Sequence, residues 1–98
     1  MQIKLYKVMG VTPSDAHWFL QATEHSEGVG SGSTEFKLYS KELITQSSTY
    51  DTERDAQQAI ERFNNHHAVT HYAYNTQRCM RVRYDRLTLS VVEFTAEV

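Results

Sequence analysis

The sequence predicts an α+β fold in which two helices pack on one face of an antiparallel sheet. Apolar residues recur at helical spacing in two segments, residues 12–25 and 52–65, and alternate with polar residues in most of the rest of the chain. The 98 residues, 40% of them hydrophobic, are enough for one modest core. We therefore expect a single α+β domain over residues 1–98.

The N-terminal part of the chain predicts a strand followed by the first helix. Residues 2–9 are rich in β-prone types, and apolar residues alternate imperfectly with polar ones. Thr12 can cap a helix whose first turn contains Pro13 and Asp15, a combination typical of helix starts. The first helix is therefore predicted over residues 12–25. Its buried side would consist of Ala16, Phe19, Leu20 and Thr23.

A glycine-rich loop and two strands are predicted next. Residues 27–33 read EGVGSGS, and three glycines with two serines predict a flexible loop. Residues 34–39 alternate between apolar and polar types, which predicts a strand with one buried face. Residues 43–48 predict a weaker strand.

The second helix, predicted over residues 52–65, has the clearest local signals in the chain. Thr52 can accept a hydrogen bond from the first turn, and Asp55 stands three residues later, where a capping-box residue is expected. Asn64 and Asn65 are suitable terminators. The residues that we expect to be buried are Ala56, Ile60 and Phe63.

The C-terminal part of the chain is almost wholly β-like. Strands are predicted over residues 69–74 and 79–84, with a polar turn at residues 75–77 between them. In the last strand, residues 87–98, the apolar residues change phase near Val91, which a β-bulge or burial of both faces would explain. Asp85 and Arg86 are the predicted turn before this strand.

The predicted elements follow the β-α-β-β-α-β order of the ferredoxin-like fold, with an extra C-terminal strand or hairpin. In this arrangement the helices cover one face of the sheet, and the other face is free to meet another molecule. The last strand is long and apolar for an edge strand, so it either extends the sheet or pairs with a second copy as a homodimer.

Composition indicates a cytoplasmic protein. The sequence contains no apolar run of about eighteen residues and no signal-peptide pattern at its start. Cys79 is the only cysteine, so an internal disulfide is impossible, and we expect a small buried thiol rather than a nucleophile. The net charge of −2 argues against strong general affinity for nucleic acid or membranes.

Positive charge is nevertheless concentrated near the C-terminus. Four arginines fall within nine residues: Arg78, Arg81, Arg83 and Arg86. Tyr72 and Tyr74 lie on the preceding predicted strand, and Tyr and Arg are enriched both in protein interfaces and in single-strand nucleic-acid sites. We predict that these residues form a partner-binding surface, and a nucleic-acid-binding module is the alternative. The arginines could also serve only to protect a sheet edge.

Trp18 is a further candidate contact residue. Trp18 and Phe19 are adjacent, and neighbouring helical residues point about 100° apart, so both cannot occupy the centre of one apolar stripe. Trp18 therefore either anchors a partner or covers the margin of the core.

Histidines suggest a metal site, but their spacing does not support it. His66, His67 and His71 follow the second helix, and His25 ends the first. No H-E-x-x-H pattern is present, and the helix is predicted to stop before His66. We therefore expect solvated helix-end histidines, no metal and no cofactor.

No catalytic motif stands out, so we expect a non-enzymatic binding protein. A chain that opens with IKLYKV, contains the capped helix TERDAQQAIERF and ends in β-rich sequence resembles, in format, the small anti-defence proteins of phages, anti-CRISPR proteins among them. The resemblance implies a stoichiometric inhibitor that occludes a surface of a host protein or nucleoprotein complex. It assigns no site residues.

Overall fold

More than half of the described residues form one mixed β-sheet, with an α-helix on one of its faces. The computed structural model describes residues 1–26, 32–65, 70–83 and 87–97. Within these ranges the strands are β1 (Gln2–Val11), β2 (His17–Ser26), β3 (Gly32–Tyr39), β4 (Thr70–Tyr74), β5 (Cys79–Arg83) and β6 (Thr88–Glu97). A 3₁₀ segment (Lys41–Gln46) and helix α1 (Glu53–Asn64) lie between β3 and β4.

The strands are arranged in the order β5-β4-β3-β2-β1-β6. Neighbouring strands are antiparallel, except that β3 and β4 are parallel. Parallel neighbours need a crossover connection, which the 3₁₀ segment and α1 provide. In the described part of the chain, β5 and β6 are therefore the two edges of the sheet.

The predicted ferredoxin-like arrangement, with two helices on an antiparallel sheet, is wrong. Among the described residues α1 is the only α-helix, and the six-stranded sheet contains a parallel pair. Two elements account for the difference. Residues 17–26 form a strand where a helix is predicted, and residues 41–46 form a 3₁₀ segment where a strand is predicted.

Helix α1 confirms the predicted second helix, and it defines the two faces of the sheet. The Thr52 side chain accepts a hydrogen bond from the Asp55 N–H at 3.1 Å, so the predicted cap is present. The rings of Phe63 and of Phe36 on β3 form a T-shaped contact, with centroids 5.1 Å apart. We call the side of the sheet under α1 the helix face and the opposite side the open face. The core between helix and sheet contains Val8, Trp18, Leu20, Phe36, Leu38, Ala56, Ala59, Ile60, Phe63 and Ala73.

The Thr-Pro-Ser-Asp segment forms the turn of the β1–β2 hairpin and does not start a helix. The Asp15 N–H donates to the Thr12 carbonyl at 2.9 Å, and the Thr12 N–H donates to the Ala16 carbonyl at 3.0 Å. Asp15 has a φ of 66°, in the left-handed region that closes three-residue hairpin loops. The fixed φ of Pro13 suits the second position of a turn as well as the first turn of a helix. The same four residues therefore fit both the pattern of a helix start and the pattern of a hairpin turn.

Strand β2 is buried on both faces near its start, which explains why its sequence resembles a buried helix. Trp18 and Leu20 belong to the core on the helix face. Phe19 is only 6% exposed, although its side chain lies on the open face, where the 3₁₀ segment contacts β2 and β3. The resulting apolar run WFL has no alternation by which a strand could be recognised.

Residues 47–50 fill a gap between β1 and β2. These two strands pair over three residues at one end and diverge beyond it. In the gap, the Ser48 N–H donates to the Leu20 carbonyl of β2 at 3.1 Å. On the other side, Tyr50 and Tyr6 of β1 exchange two backbone hydrogen bonds of 2.8 and 2.9 Å. The inserted segment therefore joins the two halves of the sheet.

The ammonium group of Lys7 fastens the inserted segment from the open face. Its Nζ donates to the carbonyl and hydroxyl of Ser47 at 3.1 and 3.0 Å and to the Thr49 hydroxyl at 2.9 Å. Gln21 donates to the Gln46 carbonyl at 3.1 Å. Because Lys7 and Gln21 occupy open-face positions of their strands, the 3₁₀ segment lies on that face. The chain then passes through the gap to reach α1.

Of the pairings made by the C-terminal strands, the β4–β5 hairpin confirms a prediction, and the pairing of β6 with β1 was not predicted. β4 and β5 form the predicted hairpin, and the Asn75 carboxamide oxygen accepts hydrogen bonds from the N–H groups of Gln77 (2.9 Å) and Arg78 (2.7 Å) in its turn. β6 pairs with β1 along its whole length in one uninterrupted register. Neither explanation for the phase change near Val91 holds, because the register contains no bulge and every residue of β6 is exposed or half-buried.

Two predicted connections cannot be compared in full. The turn at Asp85 and Arg86 lies outside the described residues, as do residues 27–31 of the glycine-rich loop. The last two residues of that predicted loop, Gly32 and Ser33, belong to β3.

The left-handed residue of the hairpin turn gives a first prediction. Asp15→Val should lower the free energy of unfolding by about 1–2 kcal/mol, because a left-handed backbone is costly for a side chain branched at Cβ. Asp15→Gly should instead raise it by about 0.5 kcal/mol, since glycine adopts this φ without strain. Urea unfolding of both variants measures the difference, and equal effects would contradict the assigned turn.

The contacts of Lys7 give a second prediction. Lys7→Met removes three hydrogen bonds from an ammonium group to Ser47 and Thr49, and it should cost about 1–2 kcal/mol of stability at neutral pH. Lys4→Met is the matched control on the same strand, because the ion pair of Lys4 with Glu93 is exposed and should contribute less than about 0.5 kcal/mol. Equal losses in the two variants would show that Lys7 does not fasten the segment.

The ionisation of Lys7 adds a third prediction. Burial lowers the pKa of the Lys7 ammonium from its ordinary value of 10.5. The unfolded chain therefore binds this proton more tightly, so the free energy of unfolding rises as the pH increases through the lowered pKa towards 10.5. We expect the stability of the wild type relative to Lys7→Met to increase as the pH rises above neutral towards 10.5. A constant difference across this interval would contradict the burial of the ammonium.

Candidate functional site

Two rows of side chains cross strands β3, β4 and β5 on the open face. Lys37 is opposite Tyr72, which is opposite Arg81. One step along the sheet, Tyr39 is opposite Tyr74, which is opposite Cys79. Partners across a sheet project from the same face. The intervening residues Leu38 and Ala73 point into the core, so the two rows lie on the side away from α1.

The Tyr39–Tyr74 row stabilises the sheet. The two rings stack with centroids 5.4 Å apart and planes 24° apart. Tyr39 is 8% exposed, and burial raises the pKa of the Tyr74 hydroxyl, with a smaller contribution from the neighbouring Cys79 thiol. Tyr74 therefore keeps its proton at neutral pH. The stacked pair holds β3 against β4 at the parallel junction of the sheet.

The Lys37–Tyr72–Arg81 row is the part that solvent and a partner can reach. Tyr72 is 48% exposed. The Arg81 guanidinium carbon lies 5.5 Å from the centre of the Tyr72 ring, and its Nη2 donates to the Tyr72 hydroxyl at 3.4 Å. Lys37 Nζ lies 6.0 Å from the Tyr74 ring and 3.7 Å from the carboxylate of Glu35. Two cations thus flank exposed aromatic surface on rigid strands.

We call this set of residues the aromatic–cation surface. Its members are Lys37, Tyr39, Tyr72, Tyr74 and Arg81. All five lie on β3, β4 or β5, and hydrogen-bonded strands fix their spacing. A surface of this kind offers cations, aromatic rings and hydroxyl groups at fixed positions, which suits recognition of carboxylates and apolar groups.

The structure brings together three of the predicted contact residues: Tyr72, Tyr74 and Arg81. Arg78 is exposed in the turn before β5, next to this group in sequence. Arg83 ends β5, where its backbone pairs with Thr70. Arg86 lies outside the described residues.

Trp18 is not part of the site. Its side chain is 7% exposed and belongs to the core on the helix face, opposite to the aromatic–cation surface. The reason is the strand conformation of residues 17–26, which directs Trp18 inwards together with Leu20. The structure therefore agrees with the alternative in which Trp18 serves the core.

Lys37 and Tyr39 are missing from the predicted surface. Their strand, residues 34–39, is predicted from the sequence, but the strand that lies beside it is not. A strand, a helix and a second strand in succession are also the signal for a parallel pair, and that signal would have placed β4 beside β3. Cys79, predicted as a buried thiol, is exposed at the edge of the surface.

The histidines and other metal-ligating residues form no site in the described part of the chain. There, no group of three or more His, Cys, Asp or Glu residues is placed to hold a metal ion. His17 is exposed and lies 3.4 Å from the carboxylate of Asp15. His66 and His67 lie outside the described residues.

Comparisons with known proteins identify no relative. No family model matches the chain, and neither a curated protein nor a solved structure shows significant similarity to it. Among the described residues, no helix combines the length and the apolar character needed to cross a membrane.

The different roles of the two rows give a fourth prediction. Tyr74→Ala removes a stacked ring and should lower the free energy of unfolding by about 1–2 kcal/mol. Tyr72→Ala removes an exposed ring and should change it by less than about 0.5 kcal/mol. Thermal and urea unfolding measure both. Similar losses in the two variants would contradict the division into a structural row and a contact row.

Proposed function

We propose that this chain is a small, non-enzymatic binding protein that contacts a partner protein through the aromatic–cation surface. The observation that carries the proposal is the exposed Tyr72 ring beside the Arg81 guanidinium, on a sheet face that α1 leaves uncovered. Tyr and Arg are among the residues that contribute most to protein–protein binding energy. Here the strands already hold both side chains in place, so binding would cost little conformational entropy.

The chemistry of the surface indicates which partner it suits. Arg81 and Lys37 offer two positive charges, and the charge of Lys37 is partly balanced by Glu35 at 3.7 Å. The tyrosine rings between these cations are apolar with hydroxyl groups at their rims. A complementary partner surface presents one or two carboxylates around an apolar centre.

The proposed mode of action is occlusion. A rigid sheet face that binds a functional surface of another protein blocks that surface without any chemical step. The format-level resemblance to small phage-encoded anti-defence proteins supports a host protein or nucleoprotein complex as the target of this inhibitor. In this proposal the 98-residue chain needs no catalytic group, because each copy of the chain blocks one target molecule by forming a complex with it.

Single-stranded nucleic acid is the second candidate ligand. The specific observation in its favour is that Tyr72 and Tyr74 follow one another on the open face of β4, each next to a cation. Bases stack on such rings and phosphates pair with Arg and Lys. The net charge of −2 and the carboxylate of Glu35 beside Lys37 favour the protein partner.

A photo-crosslinking experiment tests the proposed function. A benzophenone amino acid replaces Tyr72, or as a control the exposed Gln57 on the outer side of α1. We expect one protein of the host lysate to be captured from position 72 and not from position 57. Arg81→Glu should reduce that capture about tenfold or more, because it reverses one charge of the contact.

Three results would contradict the proposal. Equal capture from both positions would show non-specific contact, and undiminished capture in Arg81→Glu would exclude the assigned surface. Binding of single-stranded oligonucleotides with an affinity that falls steeply as salt increases would favour the nucleic-acid candidate instead. Circular dichroism of each variant confirms that the fold is retained.

A further inference from the structure

The two edges of the sheet differ in how well they are protected against pairing with another strand. β5 has five residues, and its open face presents Arg81. β6 has ten residues, contains no Lys, Arg or Pro, and pairs with β1 without a bulge. Short length, charged side chains, proline and bulges are devices that natural sheets use to prevent edge pairing. β5 has two of them, its short length and the charge of Arg81, whereas β6 has only the charges of Glu93 and Glu97.

The open face of β6 is also apolar where it continues onto β1. Phe94 is 37% exposed and Ile3 is 40% exposed, and Phe94 is opposite Leu5 in the sheet. Val92 and Ala96 flank Phe94 on the same face of β6 and are half-buried. The charged residues of β6, Glu93 and Glu97, point to the helix face. In the described part of the chain, an unpaired sheet edge and an exposed apolar strip thus coincide on β6.

We propose that β6 pairs with β6 of a second copy of this chain, antiparallel, about a twofold axis at Phe94. The order of residues in β6 supports a second copy of the chain as the partner, because in this register the strand is complementary to itself. It places Phe94 opposite Phe94 and Val92 opposite Ala96, so apolar residues meet on the open face. On the helix face it places Glu93 opposite Thr95 and Glu97 opposite Val91.

Other twofold registers match less well. With the axis at Glu93 or Thr95, a carboxylate would stand opposite a carboxylate, which is unfavourable. With the axis at Val92, Phe94 would stand opposite Ser90. Only the axis at Phe94 joins the apolar strips of the two copies and keeps the acidic groups apart. The resulting dimer has one continuous sheet of twelve strands, and both aromatic–cation surfaces stay free at its two ends.

Cysteine crosslinking tests both the dimer and its register, in a Cys79→Ser background that removes the only native thiol. In the proposed register the two copies of residue 94 face each other with Cβ atoms about 5 Å apart, within reach of a disulfide after small adjustments. The two copies of residue 92 would be about 14 Å apart. We expect Phe94→Cys to form a dimer on mild oxidation and Val92→Cys not to do so.

Sedimentation equilibrium of uncrosslinked protein provides the second measurement. The wild type should dimerise, and Phe94→Lys should weaken the dimer about 100-fold or more, because it removes two buried rings and places two charges at the axis. Thr88→Lys is the matched control, since Thr88 is an exposed open-face residue of β6 outside the paired stretch. It should leave the dissociation constant unchanged.

Several outcomes would overturn the proposal. They are a wild type that stays monomeric at the highest soluble concentration, crosslinking through position 92 instead of 94, and a dimer that survives Phe94→Lys but is lost in Arg81→Glu. The last would assign the contact to the β5 edge. Unchanged circular dichroism of Phe94→Lys separates loss of pairing from loss of folding.

Discussion

One helix covers one face of a six-stranded sheet, and the rest of the structure depends on this constraint. Helix α1 has twelve residues and is therefore about 18 Å long, whereas six strands span about 24 Å. The helix packs most closely on β1 and β6 on one face, and the six-residue 3₁₀ segment packs on β2 and β3 on the other face, where Phe19 is buried. On the open face, Tyr72 and Arg81 on one side of the sheet and Ile3 and Phe94 on the other consequently remain exposed to solvent.

The connection from β3 to α1 places the helix on its face of the sheet, and it also links β1 to β2. The chain leaves β3, runs along the open face as the 3₁₀ segment, and passes between β1 and β2 as residues 47–50. Backbone hydrogen bonds attach this segment to both strands, and Lys7 adds three more from the open face. The position of α1 is thus tied to the join between β1 and β2. This join makes the open face of a small protein more rigid, and rigid surfaces bind with a smaller entropic cost.

Elements were predicted correctly where a local residue pattern is compatible with one type of structure. The cap at Thr52, the spacing of Ala56, Ile60 and Phe63, and the turn at residues 75–77 gave the correct element in each case. The Thr-Pro-Ser-Asp segment failed because a hairpin turn and a helix start favour the same residues.

Long-range contacts explain the remaining differences. Phe19 is buried where the 3₁₀ segment, more than twenty positions later in the chain, packs on β2. The local sequence of β2, a strand buried on both faces near its start, therefore does not distinguish it from a helix. Tyr72, Tyr74 and Arg81 of the candidate site were predicted from the cluster of arginines and from the tyrosines of the preceding strand. Lys37 and Tyr39 required knowledge of the parallel pairing between β3 and β4, which depends on the whole crossover.

Hydroxyl-radical footprinting with mass spectrometry tests most directly which side of the sheet is covered. The indole of Trp18 and the phenol of Tyr72 both react with the radical when they are exposed. If α1 covers the helix face and leaves the open face free, Tyr72 is oxidised rapidly in the native protein, and Trp18 is protected until the chain unfolds. Rapid oxidation of Trp18 with protection of Tyr72 in the native monomer would contradict the account.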